Sequence, residues 1–269
     1  DGSVVGTTQL PDTFSFSGLV MDEQSKSTQI EISSPFTSTK VSWNIGHDQP
    51  NYSDAIKNNF KIDDLEFITK IEYFRSDDGE YIPARITYLK GTVPDGMNPV
   101  YMEVYGGFFL SGYLDLNLNR MKKEFLKRGG ILVGAGVRGG NERGYDWYLA
   151  GSGEKELNTT LDVIAIANGL VSQGYTQAQK IVLTGTSNGG YVVANAAIRS
   201  PESFGLVIPI NGVQDQLAFP FMDRWGTGWQ DEYLNPTEPV DLKQIFVRAP
   251  LENISNVPNK PFFFIVNGE

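Results

Sequence analysis

The sequence has 269 residues, of which 40% are hydrophobic and 20% charged, a composition typical of a globular protein. The formal net charge of −10 argues against a nucleic-acid partner, and no apolar run is long enough to span a membrane, so we expect neither partner. Cysteine is absent, which excludes disulfides, thiol catalysis and cysteine-ligated metals. We expect no cofactor and no metal site, and the lack of cysteine favours a periplasmic or secreted location over the cytoplasm.

The first predicted elements are two short strands over residues 14–21 and 27–33, joined by a polar turn. A two-stranded hairpin cannot bury a core by itself, so partner strands are expected elsewhere. Residues 34–64 are polar and are interpreted as a linker with a short helix near 52–59. The single histidine, His47, lies in this linker, where an exposed loop histidine is a better interpretation than a catalytic base.

A strong hairpin signal follows the linker. Residues 65–75 and 80–90 alternate apolar and polar side chains around the turn at 76–79. The acidic pair in that turn, Asp77 and Asp78, is interpreted as solvent-exposed.

The rest of the chain has the rhythm of an α/β protein. Strands are predicted at 99–105, 130–137, 180–185, 205–210 and 261–266, and helices at 115–128, 157–173 and 188–199. Strands that alternate with helices predict a mostly parallel sheet with right-handed crossovers. The continuous apolar runs in these strands predict burial on both faces of the sheet.

The most informative motif follows the third of these strands. Gly185-Thr186-Ser187-Asn188-Gly189 has the Gly-x-Ser-x-Gly pattern of a nucleophile elbow, in which a serine occupies a sharp strand-to-helix turn. A side chain at either glycine would crowd that turn. The turn also directs the backbone N–H of Asn188 toward a developing oxyanion. A chance glycine turn is the alternative, but the strand before and the helix after favour an α/β-hydrolase fold with Ser187 as nucleophile.

A second glycine motif, Tyr105-Gly106-Gly107-Phe108, ends an earlier buried strand. Ligand sites in parallel sheets lie at the C-terminal ends of strands. The Tyr105 hydroxyl is therefore either a donor to the oxyanion or simply part of a core tyrosine, and the residues alone leave both interpretations open.

Two further segments carry candidate side chains. The glycine-rich stretch 137–144 lacks the spacing of a phosphate-binding loop and is interpreted as support for the nucleophile region. We expect Arg138 within it to make a buried ion pair or backbone hydrogen bonds. Trp225 and Trp229 lie in a glycine-containing segment and either line an apolar substrate pocket or pack within a loop.

Taken together, these motifs resemble the prolyl oligopeptidase family. The motifs that carry the resemblance are, in chain order, 105–108, 137–140, 185–190 and 211–215. The resemblance covers residues 66–269, and it extends weakly to 12–33, which look like the end of that family's β-propeller. It implies an α/β-hydrolase domain capped by a seven-bladed propeller.

The resemblance also implies roles for individual residues. Ser187 would be the nucleophile, with the Asn188 backbone N–H and the Tyr105 hydroxyl forming the oxyanion hole. The implied walls of a proline pocket are Trp229, Phe108 and Val213. The match at Trp229 crosses a one-residue insertion, so Trp225 is a possible substitute for it.

The chain departs from the family at both ends. We expect residues 1–50 to be terminal propeller strands with a linker, and 51–269 a catalytic domain without its C-terminal part. The triad acid and histidine of the family would lie beyond Glu269, which is not itself assigned as the acid. Loss of a triad histidine costs about 10⁶ in kcat in subtilisin, so the isolated chain is expected to be nearly inert.

The sequence therefore predicts a serine peptidase that cleaves short proline-containing peptides on the carboxyl side of proline through an acyl-enzyme. A second chain that supplies the missing propeller and triad segments is one alternative. The others are a non-catalytic module that binds proline-rich peptides and an esterase on the same fold.

Overall fold

In a computed structural model, the chain is described over several ranges that together cover most of the predicted catalytic domain. These are 15–22, 27–33, 38–43, 67–112, 120–218, 221, 226–257 and 261–267. The strands in these ranges form two separate sheets. Within the same ranges, no helix combines the length and apolar character needed to cross a bilayer.

The first sheet is small and antiparallel. It consists of β1 (Ser15–Asp22), β2 (Ser27–Ser33) and β3 (Ser38–Trp43), paired in that order. The predicted hairpin is confirmed, but the assignment of the following stretch to a linker is wrong where β3 forms. Its ladder to β2 supplies backbone hydrogen bonds that a short, polar sequence does not signal. The predicted helix near 52–59 lies outside the described residues, and the propeller origin and the domain boundary stay predictions.

The second sheet has seven strands in the order β10-β9-β8-β6-β7-β5-β4. Their bounds are β4 (Phe67–Arg75), β5 (Tyr81–Leu89), β6 (Val100–Val104), β7 (Ile131–Ala135), β8 (Ile181–Thr186), β9 (Leu206–Ile210) and β10 (Phe262–Phe263). Strands β10, β9, β8, β6 and β7 are parallel to one another. At one edge of the sheet, β5 pairs antiparallel with β7, and β4 pairs antiparallel with β5. The predicted mostly parallel α/β sheet and its leading hairpin are confirmed.

Helices connect and cover these strands. They are α1 (Arg120–Lys127), α2 (Tyr145–Leu149), α3 (Leu157–Ser172), α4 (Asn188–Arg199), α5 (Gln230–Tyr233), α6 (Pro239–Arg248) and α7 (Pro250–Asn253). Helices α3 and α4 match the predicted helices closely. The predicted helix 115–128 is described from Arg120 onward.

The core lies along the middle strands, as their apolar runs predict. Ile86 on β5, Met102 on β6 and Val133 on β7 are completely buried. The last predicted strand is different, because β10 is only two residues long and Phe262 is 82% exposed. The prediction of a buried strand there is wrong, since β10 pairs only with β9 and lies at the edge of the described sheet.

A buried ion pair joins the hairpin to the helical layer. Arg138 Nε and Nη2 donate to the two carboxylate oxygens of Asp162, over 2.9 and 2.6 Å, and both side chains are buried. Arg138 Nη1 also pairs with Asp78 in the β4–β5 turn, where the guanidinium lowers the pKa of the aspartate. The buried pair predicted for Arg138 is confirmed. Asp78 is solvent-exposed, as predicted, and its carboxylate also pairs with this cation.

Removing Arg138 tests this arrangement. Arg138→Ala leaves the Asp162 carboxylate buried without its cation, so we expect the free energy of unfolding to fall by about 3–5 kcal/mol. Lys127→Ala is the control, because its pair with Glu124 is exposed and such pairs contribute about 0–1 kcal/mol. Urea denaturation measures both variants, and equal small losses would contradict a structural role for Arg138.

Candidate active site

Ser187 lies in the sharp turn between β8 and α4. Its φ of 56° and ψ of −118° place a non-glycine residue in a sparsely populated backbone region. The Ser187 N–H donates to the Ile210 carbonyl at the end of β9 over 2.8 Å. This strained strand-to-helix turn, held to the neighbouring strand, is the geometry that the Gly-x-Ser-x-Gly motif predicts.

The two glycines of the motif are required by close backbone contacts. A Cβ at Gly185 would overlap the Gly189 carbonyl, and a Cβ at Gly189 would overlap the Val104 carbonyl at the end of β6. Neither obstacle is a flexible side chain that could move aside. The start of α4 therefore lies directly against the end of β6.

Tyr105 lies beside the nucleophile because β6 and β8 are adjacent parallel strands, with Val104 opposite Gly185. The Ser187 side chain is close enough to the Tyr105 hydroxyl to act to lower the pKa of Tyr105. Burial raises the pKa of Tyr105 and the nearby Glu232 carboxyl raises it further, so the hydroxyl stays protonated and can donate. The Asn188 N–H belongs to the first turn of α4, where N–H groups have no acceptor within the helix.

The Asn188 side chain fastens the elbow to the loop after β6. Its Nδ2 donates to the carbonyls of Tyr105 and Gly106 over 2.9 and 3.0 Å. Its Oδ1 accepts a 2.7 Å hydrogen bond from the Tyr233 hydroxyl. The sequence analysis assigned a role only to the Asn188 backbone, because these partners are distant in the chain.

Aromatic rings pack together next to Ser187 and Tyr105. We call Phe108, Trp229 and Tyr233 the aromatic cluster. The Phe108 ring is 5.5 Å from that of Trp229 and 5.8 Å from that of Tyr233, both edge-to-face, and it is 6.5 Å from the Tyr105 ring. Phe108 and Trp229, predicted as pocket walls, are thus brought together, while Tyr233 was missed.

The other predicted pocket residues have different positions. Val213 is half-buried in the loop after β9 and is not part of the aromatic cluster. Trp225, the substitute for Trp229, lies outside the described residues.

Glu232 is a buried acid at this site that sequence reasoning missed. It is 3% exposed, and its Oε1 accepts a 3.0 Å hydrogen bond from the Phe108 N–H. Burial raises the pKa of Glu232 to about 7, although the hydrogen bond from the Phe108 N–H and the nearby Tyr148 hydroxyl act in the opposite direction. The only signal for Glu232 in the sequence is that an acidic residue follows shortly after Trp229.

Buried polar contacts of Tyr191, Glu156 and Arg248 also support the aromatic cluster. The Tyr191 hydroxyl donates to the buried Glu156 carboxylate over 2.8 Å, and burial raises the pKa of that acid. Arg248 lies 3.5 Å from Glu156 and donates through Nη2 to the Tyr233 carbonyl over 3.0 Å. These contacts tie α5, which carries Tyr233, to α4 and α6.

The glycine-rich loop after β7 contacts the Tyr105–Gly112 loop. The Gly139 carbonyl accepts a hydrogen bond from the Phe109 N–H, and the Glu142 carboxylate accepts from the Ser111 hydroxyl over 3.0 Å and from the Gly112 N–H. These contacts agree with the interpretation of 137–144 as a supporting loop.

The described residues include the candidate nucleophile Ser187 and its two candidate oxyanion donors, and no histidine is among them. His47 and Glu269 both lie outside the described ranges. Within those ranges, no three histidine, cysteine, aspartate or glutamate side chains are grouped as a metal site would require. The arrangement suits acyl transfer from a substrate to Ser187.

Comparisons with known proteins give a consistent result. A model of the prolyl oligopeptidase family matches residues 117–269. Prolyl oligopeptidase A of Galerina marginata is 38% identical over 68% of this chain and 24% of that protein. An uncharacterised peptidase of Rickettsia prowazekii is 34% identical over 77% of this chain and 28% of that protein. A solved prolyl endopeptidase structure has a TM-score of 0.83 at 25% identity, covering 98% of this chain and 38% of that one. The chain thus spans about a quarter of the length of these curated relatives.

The raised pKa of Glu232 predicts a pH dependence of stability. Between its ordinary value of 4.5 and about 7, the folded state holds a proton that the unfolded state releases, so stability contributed by this group is lost as pH rises through 7. Glu232→Gln cannot ionise. We compare the free energy of unfolding of Glu232→Gln with that of the parent at each pH. Between pH 4.5 and pH 8, we expect this difference to shift in favour of the variant by up to ~3 kcal/mol. Denaturation at several pH values measures this, with the exposed Glu238→Gln as control, and parallel pH curves for Glu232→Gln and the parent would contradict it.

Proposed function

The chain belongs to the prolyl oligopeptidase family, and from that premise we propose that the protein is a serine peptidase that cleaves short peptides on the carboxyl side of proline. The observation that carries the proposal is the placement of an aromatic cluster beside a strained nucleophile elbow. The elbow offers the reacting oxygen, and the cluster offers a flat apolar surface for the residue that precedes the cleaved bond.

In the proposed reaction, the Ser187 Oγ attacks the carbonyl carbon of the proline residue and loses its proton to a general base. The carbonyl electrons move onto the oxygen, where the Tyr105 hydroxyl and the Asn188 N–H donate hydrogen bonds to the negative charge. Collapse of this intermediate breaks the C–N bond, the protonated base gives its proton to the leaving amine, and an ester remains on Ser187. Water then hydrolyses the ester and releases the proline-terminated product.

The general base is not among the groups described so far. Since the described ranges hold no histidine, the acid and base of the triad have to come from elsewhere in the active protein. Residues outside the described ranges, in this polypeptide or in a second chain, would supply them.

Substrate selection follows from the shape of proline. Its ring is rigid and its nitrogen carries no N–H, so it loses little entropy on binding and needs no hydrogen-bond acceptor there. We propose that the proline ring packs on the apolar surface that Phe108 and Trp229 form together, with Val213 as a further wall. Trp229 is half-buried against the core and so presents a fixed face.

Covalent labelling tests the nucleophile. A prolyl diphenyl phosphonate should add to Ser187 in the full-length protein, and mass spectrometry of the labelled peptide should place the adduct there. Ser187→Ala should abolish both labelling and peptide hydrolysis. Ser172→Ala, an exposed serine on α3, serves as the control and should leave both intact. Acyl-enzyme formation that survives in Ser187→Ala would refute the assignment.

Removal of one hydroxyl tests the oxyanion donor. Tyr105→Phe keeps the ring but loses the donor, and loss of one such donor costs about 10²–10³ in kcat. We expect that loss with a KM within about threefold of the parent, because the interaction forms only in the transition state. Tyr145→Phe, at a 62% exposed position, provides the matched control. A raised KM with unchanged kcat would instead make Tyr105 a substrate-binding residue.

A further inference from the structure

Glu232 is a buried acid beside the apolar aromatic cluster. It is 3% exposed, and its Oε2 has no hydrogen-bond partner within the described ranges. Among those residues it also forms no ion pair with a cation. A buried carboxyl in such a setting costs folding free energy, so its presence calls for a compensating role.

The contacts of Glu232 suggest that role. Its Oε1 accepts the hydrogen bond from the Phe108 N–H, and Phe108 has a positive φ of 54°, a backbone conformation that a non-glycine residue adopts only when its surroundings hold it there. The Glu232 carboxylate also packs closely against Gly107, because a Cβ added at Gly107 would lie 2.6 Å from Glu232 Oε1. The carboxyl therefore determines where the Phe108 backbone lies.

Glu232 is also linked to the other wall of the pocket. It lies in α5, whose first residue directly follows Trp229, and Tyr233 is its neighbour in that helix. One side chain thus connects the loop that carries Phe108 to the helix that follows Trp229, two segments that are far apart in the sequence. Their rings meet at 5.5 Å with an interplanar angle of 75°.

We propose that Glu232 is a positioning residue that sets the proline specificity of the aromatic cluster by fixing Phe108 against Trp229. This inference rests on the proposed function. Glu232 is too buried to contact substrate itself, and it acts through the Phe108 backbone. A rigid apolar surface of fixed shape favours a flat five-membered ring over smaller side chains, whereas a mobile surface discriminates less between them.

Other charged and titratable groups face Glu232, and they determine which measurement is informative. The Tyr148 hydroxyl on α2 acts to lower the pKa of Glu232, whereas the Glu156 carboxylate near the start of α3 and Asp231 on its own helix act to raise it. The Glu232 charge in turn raises the pKa of Tyr105. Because Tyr105 is the proposed oxyanion donor, a change in kcat alone would mix oxyanion and pocket effects. The informative quantity is therefore the ratio of kcat/KM for a prolyl substrate to that for the matching alanyl substrate.

The experiment compares Glu232→Ala with Asp231→Ala in the full-length protein. Asp231 is the exposed neighbour on the same helix, so its replacement controls for general effects on α5. One methylene more or less on a substrate is worth about 10–200-fold in discrimination by an apolar pocket. We expect Glu232→Ala to lower the prolyl/alanyl ratio about tenfold, mainly through a raised KM for the prolyl substrate, and Asp231→Ala to keep the parent ratio. A ratio within twofold of the parent in Glu232→Ala, or an equal fall in both variants, would overturn the inference.

A second variant keeps the inference testable if Glu232→Ala does not fold. Glu232→Gln retains an acceptor for the Phe108 N–H but makes it neutral and weaker. We expect its ratio to be about threefold below that of Asp231→Asn, and equal ratios would overturn the inference. If the parent protein hydrolyses neither substrate and Ser187 is not labelled, the proposed function itself fails. Ser187-dependent prolyl hydrolysis with an unaffected ratio refutes only the role of Glu232.

Discussion

The active-site geometry depends on one backbone contact, the approach of the nucleophile elbow to the end of β6. Gly189 lies against the Val104 carbonyl, and Gly185 lies against Gly189. Because no side chain separates these segments, α4 begins beside Tyr105 and Ser187 is held at a positive φ. A single methyl group at either glycine would push the helix away from the sheet and separate Ser187 from Tyr105.

Buried hydrogen bonds extend this contact into a rigid frame. The Asn188 amide bonds to the loop after β6 on one side and to Tyr233 on the other. Glu232 bonds to the same loop through Phe108, and Arg248 holds the end of α5. In a low-dielectric interior these bonds are strong and each unpaired group is costly, so the frame favours one arrangement of the aromatic cluster.

The sequence predictions were accurate where a clear local physical signal supported them and inaccurate where it was absent. Helices α3 and α4 and the middle strands were predicted within a few residues, because continuous apolar patterns report burial directly. Strand β3 was missed because a polar strand is stabilised by its ladder to β2 rather than by apolar periodicity. The ion pair of Asp78 with Arg138 was not predicted, because nothing local shows that a buried arginine faces the exposed turn. Strand β10 was judged buried because apolar composition does not reveal a sheet edge.

By itself, the sequence determined the elbow and the oxyanion candidates, because those features arise from short-range sterics: glycines flanking a serine, and a strand running into a helix. Only the tertiary structure decided which side chains complete the site. Phe108 meets Trp229, and Glu232 reaches across 124 positions to the Phe108 amide. Such pairings depend on the order of strands in the sheet and on which polar groups burial forces to find partners, and neither is encoded in any local stretch of the chain.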